Sequence, residues 1–372
     1  MIIEKIDTYP LLYRLKNPYG DANGYKKYRS CFMIRITTAS GIEGWGECID
    51  WLPTLVDGFK HRLIPYLIGK KVTSHTQLVT TIGKWHQRSA AAISMALTEI
   101  LAKQSKLSVC EWWGGILHHH IPVYASFQSY TDQEKWINHS LDLVEGVIHE
   151  GYPMVKVKVG GKKLQEDQAH IQALQARIGH QVGIAIDANQ SYDVATAVQW
   201  ERQFQNWSNI LWLEEPLPMD HLSDYKTLRS TLSVPLAGGE NLIKPIQFLT
   251  LLADGALDII QPDVMHMAGL GAFRDTAKLS RYYGIRCSPH CFDGFLSRLY
   301  ALFTQATLGQ WSKMEGENIE PIEWDVMDNP FTTLIPLRPQ NGVVTIPEGI
   351  GIGVEIDQEK MKAYLWDGSR YW

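Results

Sequence analysis

Six residues able to hold a metal ion or move a proton recur along this chain at nearly even spacing: Lys158, Asp187, Glu214, Glu240, Asp263 and His290. Each ends a short apolar run of strand character, and stretches of helical periodicity follow. Asp187, Glu214 and Glu240 stand 27 and 26 residues apart, one strand-plus-helix repeat each. Adjacent strands lie about 4.8 Å apart, so the three carboxylates are expected to share one cation. An all-oxygen set favours a hard ion, and Mg²⁺ takes few carboxylates while keeping positions for water and substrate. A single acid after a strand more often caps the next helix or pairs with a basic neighbour. Three in register argue for metal.

Lys156 and Lys158, in Val155-Lys156-Val157-Lys158-Val159, share one face of a strand because side chains repeat every second residue. The valines face the opposite, helix-covered side. A lysine directed into a barrel needs a partner, and a neighbouring cation lowers its pKa toward the general-base range. Proton transfer is assigned to Lys158, nearer the strand end, with Lys156 beside the substrate. Asp263 and His290, 27 residues apart, are placed to touch. The carboxylate would hold one ring nitrogen and leave the other as general acid or base.

These residues can converge only if the strands that carry them close into one mouth, as in a (β/α)₈ barrel. The strands are read at Ile121 to Phe127, Met154 to Val159, Gly183 to Asp187, Ile210 to Leu213, Val234 to Leu236, Leu257 to Ile260 and Ile285 to Cys287, the eighth being unassigned. On that ring strands two and seven are three steps apart, so Lys158 and His290 approach a substrate from opposing sides. An open doubly wound sheet would carry a glycine-rich phosphate loop after strand one, and this chain has none. Before the repeats, Cys31 to Thr38 alternates, with Phe32, Ile34 and Ile36 on one side. It meets a turn at Ser40-Gly41 and returns through Gly44-Trp45-Gly46-Glu47. Ile93, Ala96, Leu97, Ile100 and Leu101 follow with helical spacing. The expectation is an α/β chain: a modified TIM barrel over 121–341, capped by an α+β amino-terminal domain over 1–120 to which 342–372 returns.

With 372 residues, 45% hydrophobic and 20% charged, and a formal net charge of -5, nothing suggests a nucleic-acid or membrane surface. Charges interrupt the first residues where a signal peptide needs an apolar core, so a cytoplasmic protein is expected. No run approaches the roughly 20 apolar residues of a membrane span. Cys31, Cys48, Cys110, Cys287 and Cys291 lack zinc-site spacing and are read as reduced thiols. Consecutive His118, His119 and His120 rarely all face one ion and are read as an interdomain linker.

Together, Lys156-Val157-Lys158, Asp187-Ala188-Asn189, Trp212-Leu213-Glu214-Glu215-Pro216, Gly239-Glu240-Asn241, Gln261-Pro262-Asp263 and Ser288-Pro289-His290 resemble the enolase superfamily, and within it the mandelate racemase branch. The resemblance covers essentially the whole chain, including Gly44-Trp45-Gly46-Glu47 of the capping domain. It implies removal of the proton α to a carboxylate while Mg²⁺ stabilises the enolate. It also implies a glutamate ending strand eight that donates a hydrogen bond to the substrate carboxylate. Glu323 is favoured over Glu315, Glu317 and Glu320 because it follows a short apolar segment. Asn189 and His266 are candidate substrate contacts, the latter equally able to start the next helix.

Branch members divide mainly into acid-sugar dehydratases and racemases. Dehydration of an aldonate or aldarate to a 2-keto-3-deoxy acid is favoured, because the segment Asn17 to Arg29 reads as a polar loop able to close over the mouth. There Arg29 or a lysine would meet a distal carboxylate, with Asp50 and Trp51 nearby. Racemisation or epimerisation of a 2-hydroxy acid, muconate-type cycloisomerisation and sugar-acid binding without turnover are the alternatives. The Asp263–His290 pair argues against the muconate type, since that branch commonly uses a second lysine after strand six. The expected partners are a small carboxylate substrate and further copies of the chain in a homo-oligomer.

Overall fold

The computed structural model describes residues 1–314 and 318–371. Strands β1 (Ile3–Asp21), β2 (Gly24–Thr38) and β3 (Glu43–Cys48) form an antiparallel sheet in chain order. Its period-two pattern serves two cores. Phe32, Ile34 and Ile36 pack with Ile93, Leu97 and Ile100 of the helix Gln87–Gln104. Cys31, Met33 and Trp45 face the other way, into the main core with the barrel helices. Side chains at Gly44 and Gly46 would overlap the Ala96 and Ala92 carbonyls, so these glycines let the helix backbone lie on the strand.

The segment 17–29 is not a loop. It is the end of the β1–β2 hairpin, Asp21 pairing with Gly24 across a two-residue turn after a register shift between Arg14 and Tyr19. Its tip is sewn to the barrel by reciprocal backbone hydrogen bonds between Gly20 and Tyr130, at 2.8 and 3.1 Å. Polar composition masked a strand because these residues are paired on their edge instead of buried on a face.

Eight parallel strands follow: β4 (His120–Ser126), β5 (Met154–Lys158), β6 (Gly183–Asp187), β7 (Ile210–Glu214), β8 (Leu236–Gly238), β9 (Ile259–Ile260), β10 (Arg286–Cys287) and β11 (Ile322–Asp325). They neighbour one another in the order β10-β9-β8-β7-β6-β5-β4-β11. Between β10 and β11 the Ser288 hydroxyl donates to the Pro321 carbonyl at 2.6 Å, and the Glu323 amide reaches the Pro289 carbonyl at 3.4 Å. The architecture is a modified (β/α) barrel beneath a capping sheet. Val155 and Val157 point outward into the helix-packed core, while Tyr124, Ala185, Trp212, Ala237 and Ile259 fill the barrel floor. Tyr124 meets Trp212 edge-on, centroids 5.3 Å apart, and the alanines make room for them. The fifth strand lies two residues later than its sequence reading, at Leu236–Gly238, and β9 spans only two residues.

After the barrel, β12 (Val343–Thr345) pairs antiparallel with the start of β4. Beyond it the Trp366 amide donates to the Pro10 carbonyl at 2.9 Å, and Tyr371 joins the capping-sheet core.

Candidate active site

Strand register places the acids. Lys158 pairs with Asp187 and Asp187 with Glu214 as direct neighbours on β5, β6 and β7. Glu240 lies two residues past β8, after Gly239, whose φ of +108° suits glycine. One ligand atom from each of Asp187, Glu214 and Glu240 lies within 4.8 Å of the others.

The residues present fit a divalent cation. Five carboxylates, of Asp187, Glu214, Glu240, Asp263 and Glu323, share three ion-pair partners among the described residues, Lys156, Lys158 and His290. With every group ionised, two negative charges are left over. Glu240 Oε2 is 3.2 Å from His290 Nε2 yet outside hydrogen-bonding geometry, so it is a buried acceptor without a donor. Burial and then the Asp187 carboxylate push Glu214 upward, the mark of acids crowded without enough positive charge. Behind the ligands, Gln261 Nε2 and Trp212 Nε1 donate to Glu214 Oε2 at 2.6 and 2.9 Å and aim it.

Both lysines are inside the barrel, 0% and 3% exposed. Lys156 Nζ lies 2.6 Å from Glu214, 3.0 Å from Glu323 and 3.6 Å from Asp187; Lys158 Nζ is 2.5 Å from Asp187. The Lys158 pKa is not depressed as expected: burial is the largest influence and lowers it, as does the Lys156 charge, but the carboxylates of Asp187, Glu240 and Asp21 together outweigh them and the net shift is upward. Lys156, fully enclosed among the carboxylates, is a counter-ion in the barrel interior and not part of the cavity wall.

Asp263 and His290 lie three residues beyond β9 and β10, joined by a parallel backbone bridge. Asp263 Oδ2 is 2.6 Å from His290 Nδ1, and its Oδ1 accepts the Met265 amide at 2.6 Å. Burial disfavours the imidazolium, but Glu240, Glu323 and Asp263 outweigh it and push His290 up to about 10. His266 Nδ1 is 2.8 Å from the Glu240 carbonyl, and its ring lies near-parallel to that of His290, centroids 6.3 Å apart.

A cavity of about 300 Å³ opens over this cluster. Lys158 and His290 line it, with Asn189, Glu240, Asp263, His266 and Gln128, and with Asp21, Asn23 and Lys26 from the hairpin. Asn189 holds φ at +44° while its amide donates to Asp187 Oδ1 at 2.9 Å, an Asx-type contact that makes the left-handed turn tolerable.

Other expected contacts sit elsewhere. Arg29 is 2% exposed and already engaged, with Asp293 at 2.5 Å and Asp325 at 3.0 Å, so its charge is spent inside the protein. Asp50 accepts from His86 Nε2 at 3.0 Å and from the Trp51 amide at 2.6 Å. Trp51 packs on Tyr371, centroids 4.8 Å apart. Asp50 and Trp51 line a neighbouring cavity that shares Tyr25, Lys26, Ile49 and Asp293 with the first. Ser89, His86 and Asp50 have the composition of a nucleophile triad, but Ser89 is 1% exposed and His86 Nδ1 accepts the Ser89 amide as a helix cap.

Glu323 is fully buried, and the Ser126 hydroxyl and Cys291 amide donate to it at 2.6 and 2.9 Å. Burial is outweighed by Lys156 and His290, which hold its carboxyl well below the usual range. Toward Ser126, Cys291 and Lys156 it is an acceptor. Glu320 is taken by Arg281 through two bonds of 2.8 and 2.6 Å, and Glu315 and Glu317 lie outside the described residues. Gln128 and Glu215 escaped the sequence reading, whereas Lys26 is one of the lysines expected near the mouth and does line it. Gln128 had a usable signal, being the first polar residue after strand one. Glu215, buried under Glu240 and bonded to Gln190 at 2.5 Å and the Gly239 amide at 2.8 Å, was hidden in the shadow of Glu214.

Comparison with known proteins shows the family and the fold. Residues 140–360 match the profile "Enolase C-terminal domain-like", and residues 8–114 match "Mandelate racemase / muconate lactonizing enzyme, N-terminal domain". D-galactarolactone cycloisomerase of Agrobacterium fabrum is 28% identical, over 98% of this chain and 99% of its own. Arabinonate dehydratase of Saccharolobus solfataricus is 26% identical over the same shares. The crystal structure of 3,6-anhydro-D-galactonate cycloisomerase from Zobellia galactanivorans superposes with a TM-score of 0.85 at 25% identity, covering 99% of this chain and 100% of the other.

Proposed function

The chain belongs to the mandelate racemase / muconate lactonizing enzyme family of the enolase superfamily, and from that premise we propose that it removes the proton α to a carboxylate with the help of Mg²⁺, dehydrating a sugar acid, an aldonate or aldarate, to a 2-keto-3-deoxy acid. The ion would be held by Asp187, Glu214 and Glu240. When bound, it supplies positive charge where the enolate gathers negative charge. The observation that carries the reading is that Lys158 and His290 line one cavity from strands on different sides of the carboxylate triad. With Asp187 engaged by the ion, its hold on the Lys158 proton would be released, and the neutral Lys158 Nζ takes the α-proton. The C–O bond to the β-hydroxyl breaks with the enolate's electron pair as His290 Nε2 protonates the departing oxygen, and the resulting enol of the keto acid then tautomerises. Asp263 keeps the imidazole in place for that transfer.

A second reading is favoured by the relatives named as cycloisomerases of a sugar-acid lactone and an anhydro sugar acid. If the departing β-oxygen is part of a ring, the same elimination opens the ring and loses no water. The test incubates Mg²⁺-loaded protein with aldonates, aldarates and their lactones in deuterated water, following α-deuteration by NMR and product mass. Loss of one water with a new keto acid is expected. Conserved mass with an opened ring supports the second reading, and deuteration with all hydroxyls retained supports a racemase or epimerase. No exchange with metal bound would leave a binding protein. Lys158→Ala and His290→Asn should each lower turnover by about 10²-fold or more; full turnover in both would overturn the two-base assignment.

A further inference from the structure

Three consecutive strands end in a pattern that the proton-transfer groups do not explain. Gln128 follows β4, Lys158 closes β5 and Asn189 follows β6, so two carboxamides bracket the lysine in one wall of the mouth cavity. Gln128 is 3% exposed. Its Oε1 and the Asn189 Oδ1 are both buried and take no hydrogen bond among the described residues. A buried carbonyl oxygen left without a donor costs about 1–3 kcal/mol, and among the described glutamines with such an oxygen Gln128 is the one that lines the mouth cavity.

The backbone around Gln128 is fixed, which makes the unpaired carboxamide a built feature. The Phe127 amide donates to the Lys156 carbonyl at 3.0 Å, and the Lys158 amide donates to Ser129 Oγ at 2.7 Å. Tyr130 is pinned to the hairpin through Gly20, and its hydroxyl donates to Asp167 at 2.7 Å. Gln128 therefore rides on a segment tied on one side to the strand of the proposed base and on the other to the capping sheet.

We propose that Gln128 is a specificity-determining residue whose carboxamide pairs with a hydroxyl of the bound substrate on the Lys158 side, so that the cavity selects hydroxylated acids over their deoxy counterparts. This rests on the mouth cavity being the substrate site. A hydroxyl both donates and accepts, so it complements a carboxamide in either orientation. A deoxy analogue would bury the amide with no partner, and sites built this way reject such analogues by large factors. Asn189 offers the same on the other flank of Lys158, which suits a chain hydroxylated on successive carbons.

The test compares Mg²⁺-loaded wild type with Gln128→Met, using the pairs galactarate and adipate, gluconate and 3-deoxygluconate, and arabinonate and 3-deoxyarabinonate. Two readouts are taken: the dissociation constant by calorimetry and α-deuteration by NMR. We expect the wild type to prefer the hydroxylated member of at least one pair by about 100-fold, and Gln128→Met to cut that ratio at least tenfold by weakening the hydroxylated member alone. The thermal midpoint of the unliganded variant should be equal or higher, because the substitution removes an unpaired amide. A merely structural glutamine would lower it. An unchanged ratio, equal loss for both members, or a wild type without preference in either readout overturns the proposal. Gln128→Ser serves the same comparison if methionine does not fit. Binding preference without deuteration would sink the proton-abstraction reading and leave Gln128 standing; deuteration with an unchanged ratio would do the reverse.

Discussion

Asp263 spends one oxygen on the Met265 amide and the other on His290 Nδ1, both at 2.6 Å, so the carboxylate is itself fixed before it orients the ring. Asp263→Asn keeps the shape but offers an amide that can turn its NH₂ toward Nδ1 and reverse the tautomer. Dehydration turnover should fall by about 10²- to 10⁴-fold, while α-deuteration through Lys158 persists; equal loss of both would mean that Asp263 only supports the fold. At this scale the sequence spoke clearly for residues that end strands. Lys158, Asp187 and Glu214 sit in adjacent register where their spacing put them. It spoke wrongly for Arg29, because nothing local reveals that a cation will be met by Asp293 and Asp325, 264 and 296 residues away.

The β1–β2 hairpin is the element that turns an open barrel mouth into a cavity, and charge holds it there. Lys26 and Arg29 reach Asp293 at 2.9 and 2.5 Å, and Arg29 continues to Asp325. Burial alone would raise the Asp293 pKa, but these two cations outweigh it and hold the carboxyl far below the ordinary range. A depressed carboxylate contributes its stability above the unfolded value of about 4, and that contribution is lost as pH falls below it. Asp293→Asn should therefore cost about 1–3 kcal/mol at neutral pH and speed hydrogen exchange in residues 21–28. The wild type should show the same acceleration, corrected for intrinsic rate, only below pH about 4. Exchange there that ignores both the variant and the pH would show that the Gly20–Tyr130 strand bonds suffice alone. The hairpin was illegible as a strand pair because its partners are polar and edge-bonded, whereas Cys31 to Thr38 announced itself through alternation against two cores.

At the scale of the whole molecule, a pH limb of stability is expected from His170, on the helix Leu164–Ile178 and outside the residues that line the mouth cavity. His170 is buried against Ser140, at 2.9 Å, and edge-on to Trp136; burial brings its pKa down to about 4. In the unfolded chain it titrates near 6.5, so its contribution is complete above that value and declines as pH falls toward the folded one. Urea unfolding should lose about 2 kcal/mol between pH 6.5 and 5, and His170→Gln should flatten that slope; an unaltered slope in the variant would assign it to other groups. What the sequence by itself determined is what repeats. Strand ends recur once per unit, and side chains alternate along each strand, so the barrel, its acids and its lysines follow from period alone. Only the tertiary structure decided which polar residues meet. Ring closure brings Glu323 to within 3.5 Å of His290, the cap delivers Lys26 and Asn23 to the mouth, and long-range ion pairs withdraw Arg29 from it. Periodicity is a property of the neighbouring chain, whereas a side chain's partner depends on packing between segments hundreds of residues apart.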